Sequence, residues 1–262
     1  MEMDDEMGNL VGSLEENGVQ NDTLIMVTGD NGNWECKCNL TGSHGPYAGQ
    51  WQKDNGGGSS SKCTLFEAGH REVGIFRWIG TIKPGVTGVI ASSVDYMPTI
   101  AALTGLTLPT HGSSGLPLRF DGIDLSGVVL HGHTVGHTSL FHPSCGCGAG
   151  DLNAMRWLKD GHEYKAIWQT GGVSGCNSPG TKCIHRPEDS PLLFDLTVDE
   201  GEAHALDITT PPHAEIAKTM VSMRQQMNED VNQTARSVTV YTGGAAGRAA
   251  NCCNDANPAC AC

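Results

Sequence analysis

Asp30 and Asn31 set a carboxylate beside an amide carbonyl, directly after the apolar run Thr23-Leu-Ile-Met-Val-Thr28-Gly29. Hard oxygen donors of this kind suit Ca²⁺ or Mg²⁺. About thirty residues further on, Lys62-Cys-Thr-Leu-Phe-Glu67-Ala-Gly-His-Arg71-Glu72 adds an ammonium and a guanidinium group. A cation and a lysine that converge on one point would hold the oxygens of an anionic ester, which is half of a hydrolase site; the nucleophile must come from elsewhere. Taken alone, Asp30-Asn31-Gly32 would make a hairpin turn, because Asn-Gly tolerates positive φ. Lys62 alone would be a solvated charge. Glu67 and Arg71 read as an i, i+4 ion pair with a structural task rather than as catalytic groups.

The elements that must position these groups follow from periodicity. Residues 23–31 lack a helical period and are rich in β-branched side chains, the pattern of a parallel strand covered on both faces, with Asp30 and Asn31 at its carboxyl end. Ahead of it, Met3, Met7, Leu10, Val11 and Leu14 share one face of a helix that Gly18 can end. Such a crossover helix is an unexpected first element of a complete domain, so the chain is expected to begin inside a longer protein. Gly56-Gly-Gly-Ser-Ser-Ser61 reads as a flexible tract, and Val73 to Trp78 as a strand. Ser92 and Asp95 resemble a capped turn before a helix that Gly105 stops. Composition shifts over 106–150; beyond it, Ala154–Lys159 and Tyr164–Trp168 flank Asp160-Gly161 as a hairpin, and Leu192–Leu196 is a further strand. Ile216, Met220, Met223 and Met227 give a helix over 212–230 that would cover this sheet.

A formal charge of −13 over 262 residues argues against nucleic acid as a partner, since a duplex binder needs a basic face. No apolar run is long enough for a membrane span. Eleven cysteines, four of them between 252 and 262, together with sequons at Asn21, Asn39 and Asn232, point to disulfides and a secretory history. The acidic start Met-Glu-Met-Asp-Asp-Glu is no signal peptide, which again suggests a chain that opens mid-protein. His131, His133, His137 and His142 beside Cys145 and Cys147 do not repeat a zinc-finger spacing, and His44 is a lone loop histidine; neither enters the expected site. Asp121 and Asp124 read as turn and cap residues.

Thr28-Gly-Asp30-Asn31-Gly32, Gly45-Pro46-Tyr47, Lys62-x-Thr64-x-Phe66-Glu67-x-Gly69-x-Arg71, Pro84-Gly85, Ser92-Ser-x-Asp95-x-x-Pro98-Thr99, Asp121-Gly-Ile-Asp124-Leu and Leu193-Phe-Asp195-Leu resemble, in order and spacing, the C-terminal half of the type I sulfatases. The likeness is strongest to the arylsulfatase A and galactosamine-sulfatase branch and covers roughly residues 1–230. Ala68 and Val73 depart from the usual glycine and proline.

The resemblance implies an α/β fold: the C-terminal portion of an alkaline-phosphatase-like mixed sheet with helices over 1–130, a small antiparallel sheet with a C-terminal helix over 131–240, and a cysteine-rich tail over 241–262. It implies that Asp30 and Asn31 bind Ca²⁺ or Mg²⁺ and that Lys62 contacts sulfate. The family's nucleophile is a formylglycine made from cysteine in C-x-P-S-R, a sequence this chain lacks, as it lacks the family's upstream aspartates and histidines. The expectation is a sulfuric ester hydrolase, arylsulfatase-like, represented by a fragment that is inactive alone. Its substrate would be a sulfated small molecule or glycan, and its location lysosomal or extracellular. The competing readings are a non-catalytic sulfate-ester or glycan-binding remnant and, less favoured by the motifs, a phosphoesterase of the same superfamily.

Overall fold

The computed structural model describes residues 2–112, 115, 117–145, 147 and 151–234. Residues Met1–Arg224 form one compact unit and Gln225–Cys262 a second. The cysteine-rich tail expected over 241–262 lies outside the described residues.

Helix α1 (Glu2–Glu16) ends as its glycine foretold. Gly18 takes φ +67°, its N–H bonds the Glu15 carbonyl at 3.0 Å and the Val19 N–H bonds Leu14 at 3.0 Å, the paired bonds of a Schellman stop. None of its residues is buried, and Met3 keeps 77 % of its surface in contact with solvent. Strand β1 (Ile25–Thr28) pairs antiparallel with β2 (Gly74–Arg77), Ile25 opposite Arg77 and Thr28 opposite Gly74. The expectation of a parallel, doubly covered strand is therefore corrected: among the described residues β2 is the only strand beside β1, and its side chains are half-buried. Between them stand two short helices, α2 (Gln50–Asp54) and α3 (Glu67–His70).

The tract 56–61 is likewise not a flexible linker. Ser59, Ser60 and Ser61 are buried, the Ser59 N–H bonds the Val173 carbonyl at 2.8 Å, and the Ser60 hydroxyl bonds Ala48 at 2.5 Å. Small side chains let this backbone run against its neighbours, and a Cβ at Gly58 would collide with the Val173 carbonyl.

Helix α4 (Tyr96–Thr104) follows a capping box in which the Asp95 carboxylate accepts from the Ser92 N–H at 2.7 Å. Gly105, at φ +71°, ends it. Helix α5 (Ser126–His131) starts where the Asp124 carboxylate accepts from the Ser126 N–H at 2.8 Å. Four strands, β3 (Ser139–Pro143), β4 (Leu152–Lys159), β5 (His162–Ile167) and β8 (Leu192–Asp195), form an antiparallel sheet in the order β3-β4-β5-β8. The short β6 (Gln169–Thr170) and β7 (Ile184–His185) pair apart from it. Asp160 and Gly161 have φ of +53° and +85°, as a tight hairpin turn requires.

Apolar side chains leave both faces of this sheet. Ala154, Ile167, Leu192 and Phe194 pack on Leu65 and Phe66, while Met155, Ala166 and Leu193 pack on Ala217 and Met220 of α6 (His213–Thr234). The segment that carries Lys62 is thereby clamped to one face of the sheet, with α6 on the other. Strand β3 was not legible in the punctuated 106–150 region.

Candidate oxyanion site

Asp30 and Asn31 leave the carboxyl end of β1 in a loop that two glycines press against its surroundings. A Cβ at Gly32 would fall well inside van der Waals distance of the Ala68 carbonyl, and the Gly32 N–H bonds the Gly69 carbonyl at 3.1 Å. A Cβ at Gly29 would collide with the Glu72 carboxylate. One residue beyond Gly32, the Asn33 carbonyl accepts from the Lys62 N–H at 3.0 Å. The loop is thus laced to the segment 62–69, and Asn31 and Lys62 come to line one cavity of about 260 Å³. His70, His142 and the Cys63–Cys145 disulfide complete the wall used below.

The Lys62 ammonium lies 5.3 Å from the centre of the Trp34 ring, and Lys37 lies 4.5 Å from the same ring. Among the described residues no carboxylate pairs with Lys62. Asp30 is beside the cavity rather than in its lining: its Oδ1 accepts from the Asn31 amide at 2.5 Å, which turns the Asn31 donor toward Asp30 and leaves the Asn31 carbonyl oxygen as a donor of electron pairs.

The donor chemistry fits a hard divalent cation in part. Burial and then the Asp30 charge push the Glu72 carboxyl up, so two carboxylates stand close enough to repel, a repulsion that a cation would relieve. Two side-chain oxygens are nonetheless short of a full shell for Ca²⁺. Among the described residues no group of three or more His, Cys, Asp and Glu side chains is placed to hold an ion.

Behind the cavity lies a charge cluster that sequence reasoning did not find. Glu67 and Lys165 have no solvent exposure; the Lys165 ammonium donates to Glu67 Oε1 at 2.8 Å and forms an ion pair with Glu202, 2.8 Å from its Oε1. Arg71 reaches Glu67 Oε2 at 3.2 Å, the expected i, i+4 pair, and Arg156 reaches it at 3.6 Å. The Glu67 N–H donates to the second Glu202 oxygen at 2.6 Å. Burial works to raise the Glu67 carboxyl, but Lys165, His70 and Arg156 hold it well below the usual carboxylate range. Burial and the Glu67 charge push Glu202 up, to about 7, against the pull of Lys165. His70 is lowered to about 4 by burial and then by Lys165. His142 is lowered too, by burial, His70 and Lys165.

Other described histidines and cysteines stand apart from this cavity. His137 bonds Asp95 at 2.8 Å, Cys147 pairs with Cys183, and Cys38 pairs with Cys176. His44 stands 3.3 Å from Lys53, which lines a second cavity of about 450 Å³ apart from Asn31 and Lys62. Nothing in the spacing of His70 and His142 announced that they would meet. His70 filled a variable position of a motif, and His142 lay in a segment read as loop.

The profile described as sulfatase matches residues 1–106, and that described as the C-terminal region of aryl-sulfatase matches residues 135–262. Arylsulfatase G of Rattus norvegicus is 33% identical over 261 residues, a match that covers 98% of this chain and 47% of that protein. Arylsulfatase A of Bos taurus is 32% identical over 241 residues, covering 87% of this chain and 43% of that protein. Among solved structures, a sulfatase from Pseudoalteromonas sp. superposes with a TM-score of 0.64 at 24% identity, covering 87% of this chain and 42% of that one, a likeness of fold. The chain spans about half the length of the curated relatives it matches.

Proposed function

The chain belongs to the sulfatase family, and on that premise we propose that it carries the cation-and-lysine part of a sulfate-ester hydrolase site. The observation that carries this reading is the shared cavity of Asn31 and Lys62, two residues brought together across a loop by the Lys62 to Asn33 backbone bond. A tetrahedral oxyanion placed there would meet an ammonium group that has no carboxylate partner among the described residues. Lys62 supplies a compact point charge where the oxyanion would sit.

Asp30 and Asn31 would hold Ca²⁺ or Mg²⁺, which, when bound, polarises sulfate oxygens. Asn31 orients toward the ion through its carbonyl because its amide is committed to Asp30. Lys62 keeps the ester oxygens at the cavity, and the Cys63–Cys145 bridge fixes the backbone next to it. The ester would be a sulfated small molecule or glycan. Three disulfides among the described cysteines support passage through an oxidising compartment, secreted or lysosomal. No described helix is long and apolar enough to cross a membrane.

A second reading, sulfate-ester or glycan binding without turnover, is favoured by one observation: these 262 residues contain no C-x-P-S-R. Calorimetry of this chain with Ca²⁺ and phenyl sulfate, alongside release of phenol, tests both. Binding at Asn31 and Lys62 is expected on either reading; release of phenol once the chain is joined to a segment that carries C-x-P-S-R supports the hydrolase, and binding without release in that joined form supports the second reading. Asp30→Ala should abolish the Ca²⁺ heat, and Lys62→Ala should weaken phenyl sulfate at least about tenfold, the loss of roughly one charge-assisted contact. Unchanged affinity in both variants would defeat the assignment of these residues.

A further inference from the structure

We propose that His70 and His142 form a hydrogen-bonding wall of the same cavity and donate to the oxygens of the sulfate ester held at Lys62. This rests on the reading just given and adds two positioning residues from outside the expected site.

Both rings line the cavity with Asn31 and Lys62, and their centroids stand 3.9 Å apart with planes tilted by 32°. Their positions are set by the framework. His142 lies in β3, opposite Ala154 of β4, and β3 is tied through Cys145 to Cys63, the neighbour of Lys62. His70 closes α3, the turn whose Glu67 is locked to Lys165.

The hydrogen-bonding account of the His142 ring is open. Nε2 of His142 is buried and has no partner among the described residues, whereas Nε2 of His70 faces Glu67 Oε1 at 3.4 Å, so that any bond from His70 to a ligand would come from the other ring nitrogen. Buried polar nitrogens left unpaired are uncommon in native proteins and call for a reason, of which a functional role at the cavity is one. The chemistry suits an anionic ester. Each neutral imidazole has one N–H to offer, and an N–H that meets a charged oxygen makes a stronger bond than one that meets a neutral acceptor.

The neutral state has a physical cause. Lys165 and Arg156 stand behind the pair, and burial adds to their effect in holding both rings unprotonated. Two neutral donors therefore complement Lys62 without placing further positive charge against the cations below. Precise placement of a few such groups is what fixes a ligand's orientation in a cavity.

The test is calorimetry of phenyl sulfate binding, with Ca²⁺ present, to the unsubstituted chain and to Lys62→Ala, His142→Ala and His142→Gln, with thermal unfolding of each variant as the control for folding. His142→Ala should weaken binding about tenfold, and His142→Gln, which keeps an N–H donor, should stay within about threefold of the unsubstituted chain. A ring needed only for packing would make both substitutions equivalent. Binding that Lys62→Ala abolishes and His142→Ala leaves intact would overturn the role of the histidines alone. Failure of the unsubstituted chain to bind phenyl sulfate would overturn the sulfate reading and this inference together.

Discussion

The Lys165 ammonium bonds the Glu67 carboxylate at 2.8 Å, and neither side chain touches solvent. Glu67 belongs to the segment that carries Lys62, and Lys165 to the four-stranded sheet, so this pair fastens that segment to the sheet. Removal of one partner strands the other charge in a medium that solvates it poorly. Glu67→Ala should lower unfolding stability by roughly 3–5 kcal/mol, measured as a shift in the urea midpoint. Lys165→Met, which fills the same space, should cost more than a surface substitution because it leaves Glu67 and Glu202 facing each other. A change in either variant no larger than that of an exposed Lys→Met substitution would refute this account.

Gly32→Ala probes the close approach at the loop. The added Cβ would overlap the Ala68 carbonyl, a backbone atom that cannot rotate away. The loop must shift, at a cost on the order of 1–3 kcal/mol, and Asn31 moves with it. Both the urea midpoint and the Ca²⁺ affinity should fall. Retention of full Ca²⁺ affinity would mean that Asn31 is not held by this contact.

Between pH 4.5 and 6.5 the pH dependence of stability is set mainly by three buried groups, His70, His142 and Glu202, whose signs differ. His70 titrates near 4 in the folded chain against a usual 6.5, and His142 is lowered in the same direction. Below pH 6.5 the unfolded chain takes up protons that these folded histidines refuse, so their contribution is full above 6.5 and is lost as pH falls toward about 4. Glu202 works the other way: its folded value near 7 exceeds the usual 4.5, so the folded chain binds its proton first and gains stability as pH falls from 7 to 4.5. Two histidines outweigh one glutamate, so stability should decline as pH is lowered from 6.5 to 4.5. Replacing both histidines by Gln should reverse that slope. Urea titrations at three pH values would decide it, and an unchanged slope in the double variant would refute it.

Local patterns told most about the elements. The Asp160-Gly161 hairpin, the helix through Met220, the Gly18 stop and the Ser92–Asp95 cap each follow from residues within a turn or two of one another. The placement of Asn31 and Lys62 in one cavity could be expected only because several motifs occurred together in a known order. The buried charges were hidden for a physical reason. In Glu163-Tyr-Lys165-Ala-Ile167 an alternating strand would send Lys165 toward solvent if one face were wet, and only the packing of Leu65 and Phe66 on that face makes it interior. Glu202 sits in a loop, where a carboxylate is ordinarily hydrated, and its burial depends on contact with Glu67 far away in sequence. The serines at 59–61 misled in the same way, because small polar residues signal a linker unless something distant encloses them.

The Cys63–Cys145 bridge joins the residue after Lys62 to the chain just beyond the strand that bears His142. Both walls of the cavity are therefore registered to each other by a covalent bond that forms only where electrons are scarce. A chain made in a reducing cytosol would have every side chain named above and yet hold the two walls in register by packing and ion pairs alone. For this protein, then, the maturity of the proposed anion pocket is a question of oxidative history as much as of sequence.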